Sequence, residues 1–373
     1  MAKKIIFAVA GAGKTFTICK ILDINKRNLI LTYTNENVSN IVKELNKQGK
    51  YDAAKVKVMT FDSFKYRYIL KPYEPLILAS FSCDQLCNGI IFEKPPQQTE
   101  NGKYNRYYIS QNKIGHYRSR CGYYYSRISK LINYVDCQNN FLTLAIKNIC
   151  RFVDHIYIDE FQDFVGNDFD IIMKIYKEIG SCLLVGDYYQ HSVKSSEQKQ
   201  YSNRKKTIYE TYPTKESFIE HMKKDYGVMI DDSSLSNSRR CCDAVCRFVD
   251  TKLNIHIRSQ KINNGEIIFV IEDDVESILS DDNIVKLKYN NSSKYSFNSK
   301  NWAYSKGGTF SSTCVILTNE LEKIDDENFN INAINCGLST INSLYVALTR
   351  SSGDVYILKY SLFRKYEKRY LKY

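Results

Sequence analysis

The stretch from Lys4 to Ile24 constrains the fold of this chain more than any other. An apolar run, KIIFAV, passes through the glycine turn AGAGK into the apolar-periodic stretch TFTICKIL. A short strand that turns through glycines straight into a helix is the opening unit of a parallel sheet, because parallel neighbours need a crossover and a helix supplies it. Residues 8–15, AVAGAGKT, also follow the spacing of a phosphate-cradling loop, with Ala8 in place of the first glycine. Gly11 and Gly13 would let backbone N–H groups approach phosphates, Lys14 would reach the β and γ phosphates, and the Thr15 hydroxyl would hold Mg²⁺. Gly11, Ala12, Gly13, Lys14, Thr15 and Phe16 are therefore the candidate nucleotide contacts. The alternative is an ordinary glycine-rich turn, and it leaves the intact GKT without a reason.

Such a loop needs a metal-binding carboxylate on a neighbouring strand, and HIYIDEFQDF, residues 155–164, supplies one where an apolar run ends in Asp159 and Glu160. Asp159 would bind Mg²⁺ through water, and Glu160 would orient an attacking water and take its proton. Further apolar runs at Leu29 to Tyr33, Cys182 to Val185, Ile267 to Ile271, Val315 to Leu317 and Val355 to Leu358 extend the alternation of strands and helices. Between them, Lys65 to Ala145 is basic and tyrosine-rich and reads as an insertion, and Lys194 to Asp225 reads as a polar surface excursion. With 373 residues the chain has room for two or three domains. The division expected is 1–64 with 146–232 as a first core, 65–145 as the inserted subdomain and 233–373 as a second core.

Composition narrows the class. At 43% hydrophobic and 25% charged, with five prolines, disorder and a collagen-like rod are excluded. No stretch approaches the roughly 18 apolar residues of a membrane span, so no membrane association is expected. Twelve scattered cysteines follow no disulfide framework and read as reduced, which points to the cytoplasm. The net charge of +12 suggests a polyanionic partner, and the thirty tyrosines suit a single strand whose bases stack on rings while cations follow its phosphates.

From here the residues resemble a family. DEFQD at 159–163 is similar to the DExQD motif of superfamily 1 helicases of the UvrD/Rep type, and the likeness continues in order along the chain. LTYTNENV at 31–38 resembles a strand and turn that touch single-stranded DNA, TFDSF at 60–64 resembles TFHSF, and LLVGDYYQ at 183–190 resembles VGDxxQ. LSNSRRC at 235–241 is similar to the arginine motif that opens the second core. SKGGTF at 305–310 is similar to SKGLTF or AKGLEF, and YVALTR at 345–350 to VALTR.

The resemblance implies an α/β protein of two RecA-like parallel-sheet domains with a small basic insertion in the first, hydrolysing ATP with Mg²⁺ and moving 3′ to 5′ along single-stranded DNA, RNA being a second candidate. It gives Gln162 and Gln190 γ-phosphate or water-coupling roles, makes Arg240 and Arg350 cations reaching the γ-phosphate, and adds Gly307 to the nucleotide contacts. Tyr33, Thr34, Asn35, Thr60, Phe61 and Ser63 become nucleic-acid contacts. Arg118, Arg120 and Arg127 join them from the insertion, where 104–134 mixes cations and rings with no acidic residue. The chain departs from the family in places. An upstream glutamine motif that reads adenine is not expected before Ala8, Asp62 replaces a histidine where a carboxylate would repel phosphate, and Thr309 replaces a ribose-binding glutamate. The interval from Arg240 to Ser305 is too short for the family's large second-domain insertion, so a compact form is expected.

Two other readings stay open at this level. The chain could be a nucleic-acid-stimulated switch or sensor within a larger complex, with a nuclease as partner. Cys83, Cys87, His116, Cys121 and Cys137 could be drawn as a zinc site, although their spacing is loose and reduced cysteines explain them as well.

Overall fold

The computed structural model describes residues 3–100, 102–191, 207–260, 265–334 and 336–372. Six strands form the first sheet: β1 (Lys4–Ala8), β2 (Asn28–Thr32), β3 (Val56–Thr60), β4 (His155–Asp159), β5 (Cys182–Gly186) and β6 (Ile230–Leu235), in the order β6-β1-β5-β4-β2-β3. β2 runs parallel to both neighbours, with Leu29 opposite Lys57 on one side and Ile156 on the other. Every residue of β2 and β5 is buried, as unbroken apolar runs require when both faces of a sheet are covered. Helix α1 (Lys14–Ile21) follows the glycine turn and α2 (Asn35–Lys47) follows β2. On α2 the fully buried Ile41 and Leu45 are one turn apart and form its inward stripe.

Helices are the longest elements of the insertion, joined by irregular stretches. After β3 the helical turn Phe61–Phe64 continues into the π-turn Lys65–Leu70, and a short helix spans Glu74–Ala79. Two-residue strand pairs follow, Ile90–Ile91 with Tyr123–Tyr124 and Thr99–Glu100 with Lys103–Tyr104. Then come α3 (Ile128–Asn139) and α4 (Phe141–Ile149), with α5 (Asn167–Glu178) after β4. Of the polar excursion expected at 194–225, residues 194–206 lie outside the described residues. From Thr207 the chain forms the short helix Ile208–Thr211 and α6 (Lys215–Tyr226), each opened by a threonine capping box.

A second sheet holds β7 (Ile267–Phe269), β8 (Ile284–Lys288), β9 (Ser299–Asn301), β10 (Ser312–Ile316) and β11 (Val355–Leu358), in the order β7-β11-β10-β8-β9. All its pairings are parallel. Alternate residues serve opposite faces. Leu287, Val315 and Ile357 pack with α7 (Asp243–Leu253), α9 (Leu338–Leu348) and Trp302, whereas Ile284, Cys314, Ile316 and Leu358 pack with α8 (Val275–Ser280) and with Phe363 of α10 (Tyr360–Tyr366). The protein is thus α/β and built on parallel sheets, as the alternation of runs predicts.

The described residues group into two compact units, one of 3–5, 18–184 and 207–230, the other of 6–17, 185–191 and 231–372. The division runs through β1 and β5, so the glycine loop and the residues that follow β5 belong with the second sheet. Among the described residues no helix is long and apolar enough to cross a membrane.

Candidate nucleotide and nucleic-acid sites

Around the glycine loop, sequence motifs more than 300 residues apart meet inside one unit. Gly11 (φ +72°) and Gly13 (φ +89°) are left-handed, a conformation that glycine adopts without steric cost. Gly11 has a second constraint. A Cβ there would fall 2.6 Å from Cβ of Arg240 and 2.7 Å from Oγ of Ser238, so the arginine segment lies directly against the loop. The carbonyl of Gly11 accepts the backbone N–H of Arg239 at 3.0 Å. Arg239 places its guanidinium 5.5 Å from the exposed ring of Phe16 and donates from Nε to Gln260 at 3.1 Å.

The YVALTR motif ends α9 and reaches the same loop. The hydroxyl of Tyr345 accepts the N–H of Ala10 at 2.8 Å and donates to Asp187 Oδ2 at 3.1 Å. Burial, and after it the charge of Asp187, drives the Tyr345 phenol well above its ordinary pKa, so the ring stays neutral. Asp187 also accepts the N–H of Tyr189 and so caps the turn Tyr188–Gln190 that carries the buried Gln190. Lys306 of SKGGTF donates to the carbonyl of Gln190 at 3.2 Å, and Gly307 next to it is left-handed at φ +88°. Arg240 donates from Nη1 to the Thr349 carbonyl at 3.1 Å, and the buried Arg350 donates from Nε to Val346 at 2.9 Å. Lys14 and Thr15, Ala12 between the glycines, Gln190, Gly307, Arg240 and Arg350 therefore all belong to one unit.

The acidic motif is built within the other unit. Asp159 is buried at the last position of β4, and its Oδ1 accepts the N–H of Glu160 at 2.9 Å. Glu160 is a non-glycine residue at φ +55°, an unusual conformation that turns the chain sharply off the strand. Its Oε2 accepts Gln162 Nε2 at 2.5 Å. The charge of Asp159 acts on Cys19 of α1. Burial first, then Glu44 and Asp159, push that thiol up to about 12.

The expected strand contacts divide by exposure. Thr34 and Asn35 are exposed at the start of α2, where Thr34 Oγ1 accepts the N–H of Asn37 at 3.1 Å. Tyr33 is half-buried edge-on to Phe164, and burial raises its phenol. Thr60 and Ser63 are half-buried and bonded to each other at 3.0 Å. Phe61 is buried against Phe64 and Phe164, which removes its ring from a base-stacking surface. In the insertion Arg120 is exposed, but Arg127 is 1% exposed and donates to the carbonyls of His116 and Pro96. Those bonds correct the expectation of a strand contact at Arg127: its guanidinium holds the insertion together. Arg118 is buried too. Of the tyrosines at 104–134, Tyr117 and Tyr123 are core residues, while Tyr104 and Tyr107 are exposed, with Arg106 stacked 4.8 Å from the Tyr107 ring.

Several residues of these sites carry no signal in the sequence. Tyr345 and Asp187 lie inside motifs, yet nothing local assigns them a role. Lys65 is fully buried and bonded to Asp168 and Ser129, with Asp62 at 2.8 Å, so the Asp62 carboxylate has a lysine partner. Among the described residues no three His, Cys, Asp or Glu side chains converge as a metal site, and every cysteine is free.

No family model matches the chain, and no curated protein matches it. Solved structures that resemble it include Arterivirus nonstructural protein 10 (helicase) in complex with DNA, with a TM-score of 0.47 at 13% identity over 96% of this chain and 61% of that one. A crystal structure of the same arterivirus protein gives 0.45 at 13% identity, over 99% and 62%. The PRRSV helicase gives 0.43 at 10% identity, over 99% and 54%. The chain thus spans less than two thirds of these neighbours' length.

Proposed function

We propose that this chain is an ATP-driven helicase or translocase of the superfamily 1, UvrD-like type, moving 3′ to 5′ on single-stranded DNA. One observation carries the reading: the glycine loop is pressed against the arginine segment at Gly11 and joined to YVALTR through Ala10, Tyr345 and Asp187. A loop of that shape cradles phosphates with backbone N–H groups, and arginines beside it suit the charge that spreads over a transferring phosphoryl group. The residue types suit a nucleotide and its magnesium, since the loop turns through two left-handed glycines, Gly11 and Gly13, into Lys14 and Thr15, and Asp159 is a buried carboxylate at a strand end.

In this proposal Gly11, Ala12, Gly13, Lys14, Thr15, Phe16, Gln162 and Gly307 bind ATP, and Thr15 and Asp159 would hold Mg²⁺, which supplies charge neutralisation at the phosphates. Glu160 orients the attacking water and takes its proton, held to that task by Gln162. Gln190 couples the γ-phosphate to the turn after β5. Arg240 and Arg350 stabilise the charge that develops on the transferring group, an effect worth roughly three to five powers of ten in rate. Residues 1–64 and 146–232 act as the first core, 65–145 as the accessory strand-binding part and 233–373 as the second core. Thr34, Asn35, Tyr33, Thr60, Ser63 and Arg120 contact the strand, and the chain works in the cytoplasm.

The test is ATP hydrolysis by the purified protein with single-stranded DNA, single-stranded RNA, blunt duplex or no nucleic acid, at two salt concentrations. Stimulation by single-stranded DNA is expected, with unwinding then read on a tailed duplex. Hydrolysis that no nucleic acid stimulates would replace the motor with a switch subunit that needs a partner such as a nuclease. Absence of any hydrolysis would defeat the reading.

A further inference from the structure

Arg118 is 8% exposed, and among the described residues no carboxylate pairs with it. Its Nη1 is buried without a hydrogen-bond partner. Nη2 reaches only Cys83 Sγ at 3.4 Å, a weak acceptor, and the guanidinium lies 5.8 Å from the ring of Tyr123. The carboxylate of Glu74, whose partner Tyr123 the Arg118 guanidinium faces, is already taken by Lys71, by the N–H of Cys87 and by the Tyr123 hydroxyl. A guanidinium cannot shed its proton to escape burial, so an uncompensated one is costly and calls for an anion from outside.

A pocket of about 250 Å³ stands where that anion would sit. Arg118 lines it together with Gln85, Cys87, Gly115, Ser119 and Arg120, and no Asp or Glu contributes to its wall. Arg120 is exposed, and its guanidinium makes no hydrogen bond or ion pair among the described residues. The turn carrying both arginines is held from several sides. The Cys87 thiol donates to the carbonyls of Ser119 and Arg120, the N–H of Ser119 donates to Gly122, and Arg118 bridges to Tyr123. Two guanidinium groups at a pre-set turn match the oxygens of a phosphoryl group, which each can grip in a two-pronged fashion.

We propose that this pocket is a phosphate site, occupied by a backbone phosphate of a single nucleic-acid strand. The choice of phosphate rests on the arginines and the pocket. The choice of a strand rests on the function proposed above and on the exposed Tyr104, Arg106 and Tyr107 of the same insertion.

The experiment uses the full chain without ATP, with two probes: inorganic phosphate by calorimetric titration, and a 5′-hydroxyl oligothymidylate by fluorescence anisotropy across a salt series. Wild type should show a phosphate-binding component that survives Lys14→Ala and disappears in Arg118→Gln and Arg120→Gln. Arg120→Gln should also weaken oligothymidylate binding at least five-fold and flatten its log–log salt slope by about 0.7 for each phosphate that is no longer neutralised. Should Arg118→Gln not fold, the exposed Arg120→Gln decides the matter alone. Phosphate and strand titrations unchanged in Arg120→Gln overturn the site. Loss of the phosphate component in Lys14→Ala also overturns it, by assigning that component to the glycine loop. Phosphate bound here with strand affinity unchanged overturns the strand as its source. ATP hydrolysis enters none of these measurements, so a chain that binds phosphate here but hydrolyses nothing would sink the proposed function alone.

Discussion

Tyr345 uses one hydroxyl for two partners, Ala10 N–H and Asp187, and both are buried. Removing the oxygen leaves the Ala10 N–H without its acceptor and takes one hydrogen bond from the Asp187 carboxylate, and a buried group left unpaired costs about 1–3 kcal/mol. Tyr345→Phe should therefore lower stability by at least that much in a urea melt and weaken ATP binding, since the glycine loop loses its tie to α9. A variant with unchanged stability and affinity would show that water replaces the hydroxyl. Gly11→Ala tests the same loop sterically. Beyond roughly 1–2 kcal/mol for a side chain in left-handed backbone, the new methyl meets Arg240 and Ser238 at under 3 Å. Nucleotide affinity should fall more than ten-fold. Gly49→Ala, also left-handed at φ +65° but with nothing within 4 Å, should keep nucleotide affinity and lose only the backbone term. The turn at Gly11 and Gly13 is legible from its spacing, because a strand that passes sharply into a helix through left-handed backbone calls for glycine there. Ser238 and Tyr345 are not, because a hydroxyl turned toward a loop more than 200 residues away leaves no local pattern.

At the scale of elements, legibility follows the contrast between apolar and polar runs. β1, β2, β4, β5 and β11 are short apolar stretches ended by polar residues, and their expected and observed bounds agree closely. β8 escapes that contrast because its sequence, IVKLK, carries Lys286 in a fully buried position, where the side chain reaches the Asp281 carbonyl. Burial lowers the pKa of that ammonium, as expected for a cation drawn into a sheet. β6, IDDSSL, escapes it for the opposite reason: it is the edge strand of its sheet, and an edge tolerates polar residues. The helical stretch after β3 hides another charge. Burial pulls Lys65 down, but the charges and hydrogen bonds of Asp168 and Asp62 outweigh it and hold the ammonium above its ordinary pKa. A group raised on folding stabilises fully below its unfolded pKa, near 10.5 for lysine, and that stabilisation fades as pH rises through the folded value. Lys65→Met should cost about 3–5 kcal/mol at neutral pH by leaving Asp168 buried without its cation. Denaturant melts from pH 8 to 11.5 should show wild type losing part of that advantage only above pH 10.5 or so. A constant difference across the range would mean that the lysine contributes by packing alone.

Over the whole molecule, the two parallel sheets are legible because their rhythm repeats, whereas the insertion is legible only as a change in composition. Its tyrosines read uniformly as stacking candidates, yet the fold buries Tyr117 and Tyr123 and exposes Tyr104 and Tyr107, a distinction that composition does not carry. The glycine loop, the arginine segment and YVALTR are each visible in the sequence, but their convergence within one unit depends on chain topology. That convergence makes Arg350 the residue on which the proposed activity can be tested most directly. Its guanidinium is buried beside the end of α9, so part of its work is structural, through Nε and the Val346 carbonyl. Arg350→Lys keeps a charge at this position but lacks the planar fork, and Arg350→Ala removes both. If the arginine stabilises a transferring phosphoryl group, both variants should lose three or more powers of ten in hydrolysis rate while binding ATP within a few-fold of wild type. If it only braces α9, hydrolysis and binding should decline together with the melting temperature, and the lysine should recover part of each. Measuring the rate, the ATP affinity and the melt on both variants separates the two roles, and an Arg350→Ala chain that hydrolyses ATP at the wild-type rate would remove this residue from the chemistry.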